Sequence, residues 1–220
     1  MATFDDATTL DRYIDEDLSL INNTTIWKEY KRGKQHKDDV CYVYQSTNDS
    51  IWWIKLVALV EEGSIDNIDD LLDHNLKERH PEWHELYIDG RILKKNEDGH
   101  QLNVFFSSSR YASPSIFIAP RDTCYLKVRR NLSNGFILSY RSIDLPEGRD
   151  ESGKFVRTIF KGAHLIEKTE KNTGFRYTYI QHADPGGSIP KILANRPQCD
   201  IIFKEIEGIR RAMKNSIQKN

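Results

Sequence analysis

Between Leu86 and His182 the chain carries six runs of strand-forming residues, and one long amphipathic segment follows them. The runs fall near 86–94, 102–110, 122–130, 136–143, 156–167 and 175–182, rich in aromatic and β-branched side chains. Asn96-Glu97-Asp98-Gly99, residues 131–135 and Lys171-Asn172-Thr173-Gly174 supply turn chemistry between them. Asp184-Pro185-Gly186-Gly187-Ser188-Ile189-Pro190 then turns the chain into a helix expected over 188–217. Ile189, Ile192, Leu193, Ile202, Ile206, Ile209 and Met213 share one face of that helix. Pro197 is expected to kink or interrupt it. A helix laid across a curved sheet can close a cavity as well as fill a core. The stretch from Arg121 to Arg196 holds no evident catalytic set.

The first part of the chain reads as a helix, three strands and short helices. Phe4, Ala7, Leu10, Ile14, Leu18 and Ile21 recur at helical steps, placing an amphipathic helix within residues 1–24. Residues 27–32, 40–45 and 51–60 read as strands, with a basic, solvated hairpin loop over 31–37. Ser64 caps a helix whose buried face is Ile65, Ile68, Leu71, Leu72 and Leu76, and Pro81 ends it. The order predicts an α+β fold with an antiparallel sheet of about nine strands, in a single domain over 1–220.

Composition narrows the function classes. The 220 residues include 32 basic and 33 acidic side chains, so no net field attracts nucleic acid. Ten Tyr, nine Phe and four Trp suffice for a large apolar interior or pocket. The acidic start Met1-Ala2-Thr3-Phe4-Asp5-Asp6 lacks the apolar region of a secretory signal. No apolar run approaches the roughly 20 residues that span a bilayer. Cys41, Cys124 and Cys199 are odd in number and widely spaced, which suits reduced thiols. A cytoplasmic monomer is expected.

Local clusters favour structural roles. His80, Glu82 and His84 are interrupted by Pro81 and have no nearby third ligand, so no metal site is expected. Asp122 and Arg141 are read as an ion pair between adjacent strands, Asp184 as a turn residue, and Cys199 as an unreactive thiol. Ser107-Ser108-Ser109 lacks an elbow motif, which leaves a hydrolase triad unsupported. Lys191, Lys204, Arg210, Arg211 and Lys214 make a solvated helix face, with contact to anionic headgroups as the alternative.

The ordered set of Trp83, Pro120-Arg121-Asp122, Arg141-Ser142, Val156-Arg157 and Asp184-Pro185-Gly186-Gly187-Ser188-Ile189-Pro190 resembles the START (steroidogenic acute regulatory protein-related lipid transfer) family. The resemblance spans nearly the whole chain and is tightest from Pro120 onward. It implies a helix-grip fold, in which a curved sheet wraps the C-terminal helix and encloses an apolar tunnel for one lipid. The lid would be the helix over 188–217 with an omega loop over 144–153. Ile202, Ile206, Ile209, Met213, Leu145 and Pro146 would then line the lid and tunnel.

The implied function is carriage or sensing of a membrane lipid without catalysis or a cofactor, with transient membrane contact. Two chains of about sixteen carbons cost on the order of 25 kcal/mol to expose to water at ~0.8 kcal/mol per CH₂, so a carrier that shields them has a clear purpose. In the family's sterol-carrying branch an acid and an Arg pair across the cavity; those positions here are Ser108 and Lys127, so the acid is missing. In its phosphatidylcholine-carrying branch an Arg shortly before the Trp binds phosphate; Arg79 lies four residues before Trp83, and His84 stands where that branch has Asp. Lys127, Arg79, Tyr125 and Ser108 are therefore the headgroup candidates, and a phospholipid is favoured. The alternatives are a sterol or ceramide carrier, or a helix-grip cyclase or hydrolase using the same cavity. Strand alternation leaves two registers open: Lys127 inward with Thr123 and Tyr125, or outward.

Overall fold

The computed structural model describes residues 7–72, 78–96, 103–112, 118–170 and 173–218. Phe4, Leu76 and the turn residues Glu97, Asp98, Gly99, Lys171 and Asn172 lie outside them. In chain order the elements are α1 (Ala7–Asn22), β1 (Lys28–Arg32), β2 (Val40–Tyr44), β3 (Trp53–Val60), α2 (Ile65–Leu72), β4 (Tyr87–Asn96), β5 (Asn103–Tyr111), β6 (Arg121–Leu132), β7 (Gly135–Ser142), β8 (Val156–Arg157), β9 (Ile159–Lys168), β10 (Phe175–Asp184) and α3 (Lys191–Gln218). Single 3-10 turns occupy His80–Glu82 and Pro146–Gly148. The strands form one sheet in the order β1-β2-β3-β10-β9-β7-β6-β5-β4, with antiparallel neighbours throughout.

Three local expectations change. The strand expected over 156–167 is two strands: β8 runs parallel to the start of β6, then the chain turns at Thr158 and β9 joins β7 and β10. The Arg157 guanidinium holds the Asp122 carboxylate at 2.6 and 3.1 Å, which fixes β8 in place. Asp122 and Arg141 do not pair. The register sets Arg141 opposite Leu126, four residues along β6 from Asp122, roughly 13 Å at the strand rise. Finally, α3 runs through Pro197 without a break. Pro197 is the seventh residue of α3, so the only amide bond it removes is to the carbonyl of Leu193, and Leu193 is 65% exposed.

Strand alternation gives the sheet two unlike faces. On the outer face α1 seats Leu10, Ile14 and Ile21 on Leu126, Val128, Ile137 and Ile180. Buried Asp17 of α1 accepts two bonds from Arg141 at 2.9 Å. Burial raises its carboxyl pKa, and Arg141 opposes that rise. Buried Lys55 donates to the Ile21 carbonyl near the end of α1, at 3.3 Å.

On the inner face, Cys199, Ile202, Ile206, Ile209 and Met213 of α3 pack with Leu56, Ala58, Val60, Leu138, Ile166 and the α2 residues Ile68, Leu71 and Leu72. Gly208 lies so close to the Trp83 carbonyl that a Cβ there has no room. Several polar ties fasten α3. Asn195 donates to the Ser50 carbonyl at 2.9 Å and accepts from the Trp52 amide at 3.0 Å. Asp200 pairs with Lys31, and Arg210 clamps Asp39 with two 2.7 Å bonds. No helix among the described residues is long and apolar enough to cross a membrane.

Candidate functional site

A cavity of about 310 Å³ lies between the first half of α3 and the sheet. Its floor comes from inward residues of four strands: Thr123 and Tyr125 on β6, Tyr140 on β7, Phe160 and His164 on β9, and Tyr179, Gln181 and Ala183 on β10. Its roof is Ala194, Pro197, Gln198, Ile201 and Glu205, a stripe at helical spacing. His80, Trp83 and His84 form the side wall with Tyr111.

The floor is continuous aromatic surface. Tyr125 meets Tyr140 and Phe160 edge-on at 5.8 and 5.5 Å, and His164 stacks on Tyr179 at 4.4 Å. Its polar tips are satisfied locally. Tyr179 donates to Gln181 at 2.5 Å, and the Tyr177 hydroxyl and His164 Nδ1 share a 2.5 Å bond. Burial pushes His164 down to about 3 and His80 well below its usual range, while it raises Tyr140 and Tyr179. The floor is therefore polar-tipped and uncharged at neutral pH.

The side wall differs. His84 Nε2 lies 3.2 Å from Glu205 Oε1, with both side chains 13% exposed. Neither the other ring nitrogen of His84 nor the Trp83 indole N–H has a hydrogen-bond partner among the described residues. The mouth is where the lining is exposed or half-buried, at Ala112, Ile118, Ala119, Arg121, Pro185, Ile189 and Leu193. Arg121 donates to the Pro185 carbonyl at 3.0 Å and to the Ala119 carbonyl, and no carboxylate among the described residues pairs with it. Gly186 and Gly187 adopt φ of 65° and 68°, which makes the Pro-Gly-Gly turn depend on glycine. Asp184 accepts the Gly186 amide at 2.9 Å and pairs with Lys191 at 2.6 Å, tying the turn to the start of α3.

The residues singled out from the sequence are scattered around this cavity. Tyr125 lies on its floor. Lys127 faces inward and is 2% exposed, but it sits beyond the cavity's inner end and donates to the Leu72 carbonyl at 2.8 Å. There it caps the negative end of α2. Burial lowers its pKa to about 7, with Asp69 acting the other way. Arg79 is engaged by Asp70 and Glu82, away from the cavity.

Ser108 does not face the cavity. It pairs with Cys124, so alternation turns Ser107 and Ser109 inward and Ser108 to the opposite side. Ile202, Ile206, Ile209 and Met213 are core residues and not cavity lining, because the helix face that carries them meets the sheet directly. Leu145 packs on the outer face, and Pro146 borders a surface groove beside Arg91 and Glu147. The 144–153 loop therefore covers the outer side of β6, where Gly148 lies against Cys124. The sequence reading missed the acid–base pair His84–Glu205, the mouth cation Arg121 and the roof residue Ile201. The 194, 198, 201, 205 spacing was available, but a mixed polar stripe next to a fully apolar one carries little signal. Among the described residues no group of His, Cys, Asp and Glu could hold a metal ion.

The fold has close counterparts. Human StAR-related lipid transfer protein 5 superposes with a TM-score of 0.81 at 16% identity, over 95% of this chain and 96% of that one. Human STARD10 gives 0.79 at 18% identity, over 97% and 82%. A STAR-related lipid transfer protein fragment from Xanthomonas axonopodis gives 0.69 at 19%, over 86% and 99%. At such identities the likeness establishes the helix-grip fold. Comparison of the sequence with curated proteins found no match. The START domain family model matches residues 16–219, and the chain belongs to the START domain family.

Proposed function

We propose that this chain binds one membrane lipid in the cavity under α3 and moves it between membranes, acting as a monomer. The observation that carries the reading is the cavity itself: an aromatic, uncharged floor, a helical roof and an open mouth. Proteins that superpose on it bear lipid-transfer names. The mouth suits brief contact with a bilayer, since exposed Leu193 stands at its rim and exposed Ile159 begins β9 at the same end of the sheet. Shielding a tail from water is the whole task, so transfer needs walls and an opening step and no covalent chemistry. His84–Glu205 is an acid–base pair on the wall, yet no nucleophile or metal set adjoins it among the described residues, and a ligand contact accounts for it better than catalysis.

A phospholipid is the second reading, and Arg121 is the observation that favours it. With Lys127 and Arg79 engaged elsewhere, Arg121 is the cavity's arginine, and it stands at the mouth. A phospholipid would then lie with its tails inward and its phosphate at the rim. At ~30 Å³ for a water-sized group, the cavity holds about ten such groups, so a two-chain lipid requires α3 or the mouth to move apart. The test is mass spectrometry of lipid that co-purifies with the protein, then transfer of that lipid between vesicles. Recovery and catalysed transfer of one lipid class are expected. Absence of both would sink the carrier reading.

A further inference from the structure

Away from the cavity, the fold brings two thiols together, Cys41 on β2 and Cys199 on α3. Directly opposite residues of antiparallel strands point to the same face. Cys41 stands opposite Lys31 on one side and Leu56 on the other. Leu56 belongs to the inner core, and the Lys31 ammonium reaches α3, where it pairs with Asp200 and lies over the Phe203 ring at 5.7 Å. Cys41 therefore points toward the same part of α3. Cys199 is four residues before Phe203, on the same side of the helix, and shares one core cluster with Cys41. Both thiols are free and fully buried. The Cys41 thiol donates to Cys199, and this bond lowers the Cys199 pKa and raises that of Cys41, while burial raises both. The Tyr42 carbonyl, 3.9 Å from the Cys41 sulfur, is the other acceptor in reach. The Lys31 ammonium favours a thiolate at either position, and Asp200 opposes it.

We propose that Cys41 and Cys199 form a reversible disulfide that locks the first half of α3 onto β2 and holds the cavity roof closed. Cys199 lies between the roof residues Gln198 and Ile201, so a covalent tie at this point restrains the roof on both sides. The oxidant is a hydroperoxide. The Cys199 thiolate attacks its outer oxygen, becomes a sulfenic acid and releases an alcohol, or water from hydrogen peroxide. The Cys41 sulfur then displaces the sulfenic hydroxyl, which leaves as water with the Cys41 proton. Together the two thiols lose two electrons and two protons, and the peroxide O–O bond takes them up. A small dithiol reverses the step by exchange. The buried pair meets an oxidant only when the first half of α3 lifts, and local opening of that kind exposes buried groups. The motion that admits a lipid is therefore the motion that exposes the thiols. Reduced, the helix is free to lift; oxidised, it is held down. The effect on transfer rests on the carrier reading, whereas the bond and its effect on α3 do not.

The experiment treats the protein with hydrogen peroxide, with and without phosphatidylcholine vesicles, and then with dithiothreitol. Three quantities are read: cysteine linkage by peptide mass spectrometry, amide exchange along α3, and transfer of phosphatidylcholine and of cholesterol between vesicles. Peroxide should link Cys41 to Cys199 within one chain, and vesicles should speed the linkage because they draw the helix open. Oxidation should slow amide exchange over residues 191–201 and cut transfer at least about tenfold, since a locked roof removes the opening step, and dithiothreitol should restore both. Cys41→Ala and Cys199→Ala should each transfer like the reduced wild type and ignore peroxide, while Cys124→Ala should respond as the wild type does. Where an alanine variant folds poorly, the wild type before and after dithiothreitol carries the test alone. Absence of a Cys41–Cys199 linkage after peroxide overturns the proposal, and so does a linkage that changes neither exchange nor transfer. A linkage that slows exchange in a protein that moves neither probe upholds the lock and counts against the carrier reading.

Discussion

The two halves of α3 lie over one face of one sheet and do different work. From Ile202 onward the helix packs into one core with β3, β7, β9 and β10, and only Glu205 of it borders the cavity. Before it, Ala194, Pro197 and Ile201 roof a cavity over tyrosines, histidine and phenylalanine, and Gln198 reaches down to the Ala183 carbonyl. The difference lies under the helix as much as in it. Under the second half apolar side chains, aliphatic and aromatic, close on the helix, while the rings under the first half carry polar tips bonded to one another. Polar ties hold both halves, through Asn195, Gln198 and Asp200 in the first and Arg210 in the second.

Substitutions can break this contrast in order of expected size. Ile206→Ala, in the seated half, should cost about 2–5 kcal/mol, read as a lower denaturant midpoint. Asn195→Ala removes two backbone bonds and should cost about 1–3 kcal/mol, with faster amide exchange in the first turns of α3 than in its last. Stability should rise between pH 7 and 10. Lys127 has a folded pKa of about 7 and an unfolded value of 10.5, so in that window the unfolded chain binds more protons, at up to roughly 1.4 kcal/mol per pH unit for one group. Lys127→Met should flatten that rise in chemical denaturation. Ile201→Trp, in the raised half, should change stability by less than about 1.5 kcal/mol while cutting lipid uptake at least tenfold. Equal destabilisation by Ile206→Ala and Ile201→Trp would mean the halves do not differ.

Element order, the α1 stripe and the shared face of Thr123, Tyr125 and Lys127 were legible because alternation and helical period are written in single residues, but which face turns inward was not. The cavity residues were less so. Ile202, Ile206, Ile209 and Met213 carry the strongest apolar signal, and for that reason they sit in the driest place. Lys127 drew notice as a buried cation, but its partner is a main-chain carbonyl 55 residues earlier in the chain, which no side-chain pattern announces. His84 and Glu205 are 121 residues apart, and only the crossing of α3 over the 80–86 segment brings them together.

Strand order carries a cost during synthesis. β3 and β4 follow each other in the chain, yet β4 ends at the far edge of the sheet, and β3 pairs on its inner side with β10. Residues 28–60 can form their meander early, but the remaining edge of β3 has no neighbour until Phe175, 115 residues after Val60. At about 5–20 residues per second the ribosome leaves that edge open for roughly 6–23 s. The strand concerned is Trp53-Ile54-Lys55-Leu56-Val57-Ala58-Leu59-Val60, apolar along most of its length. A nascent chain of this topology has an aggregation-prone interval built into its order of emergence, and chaperone demand should persist until about the last fifth is made.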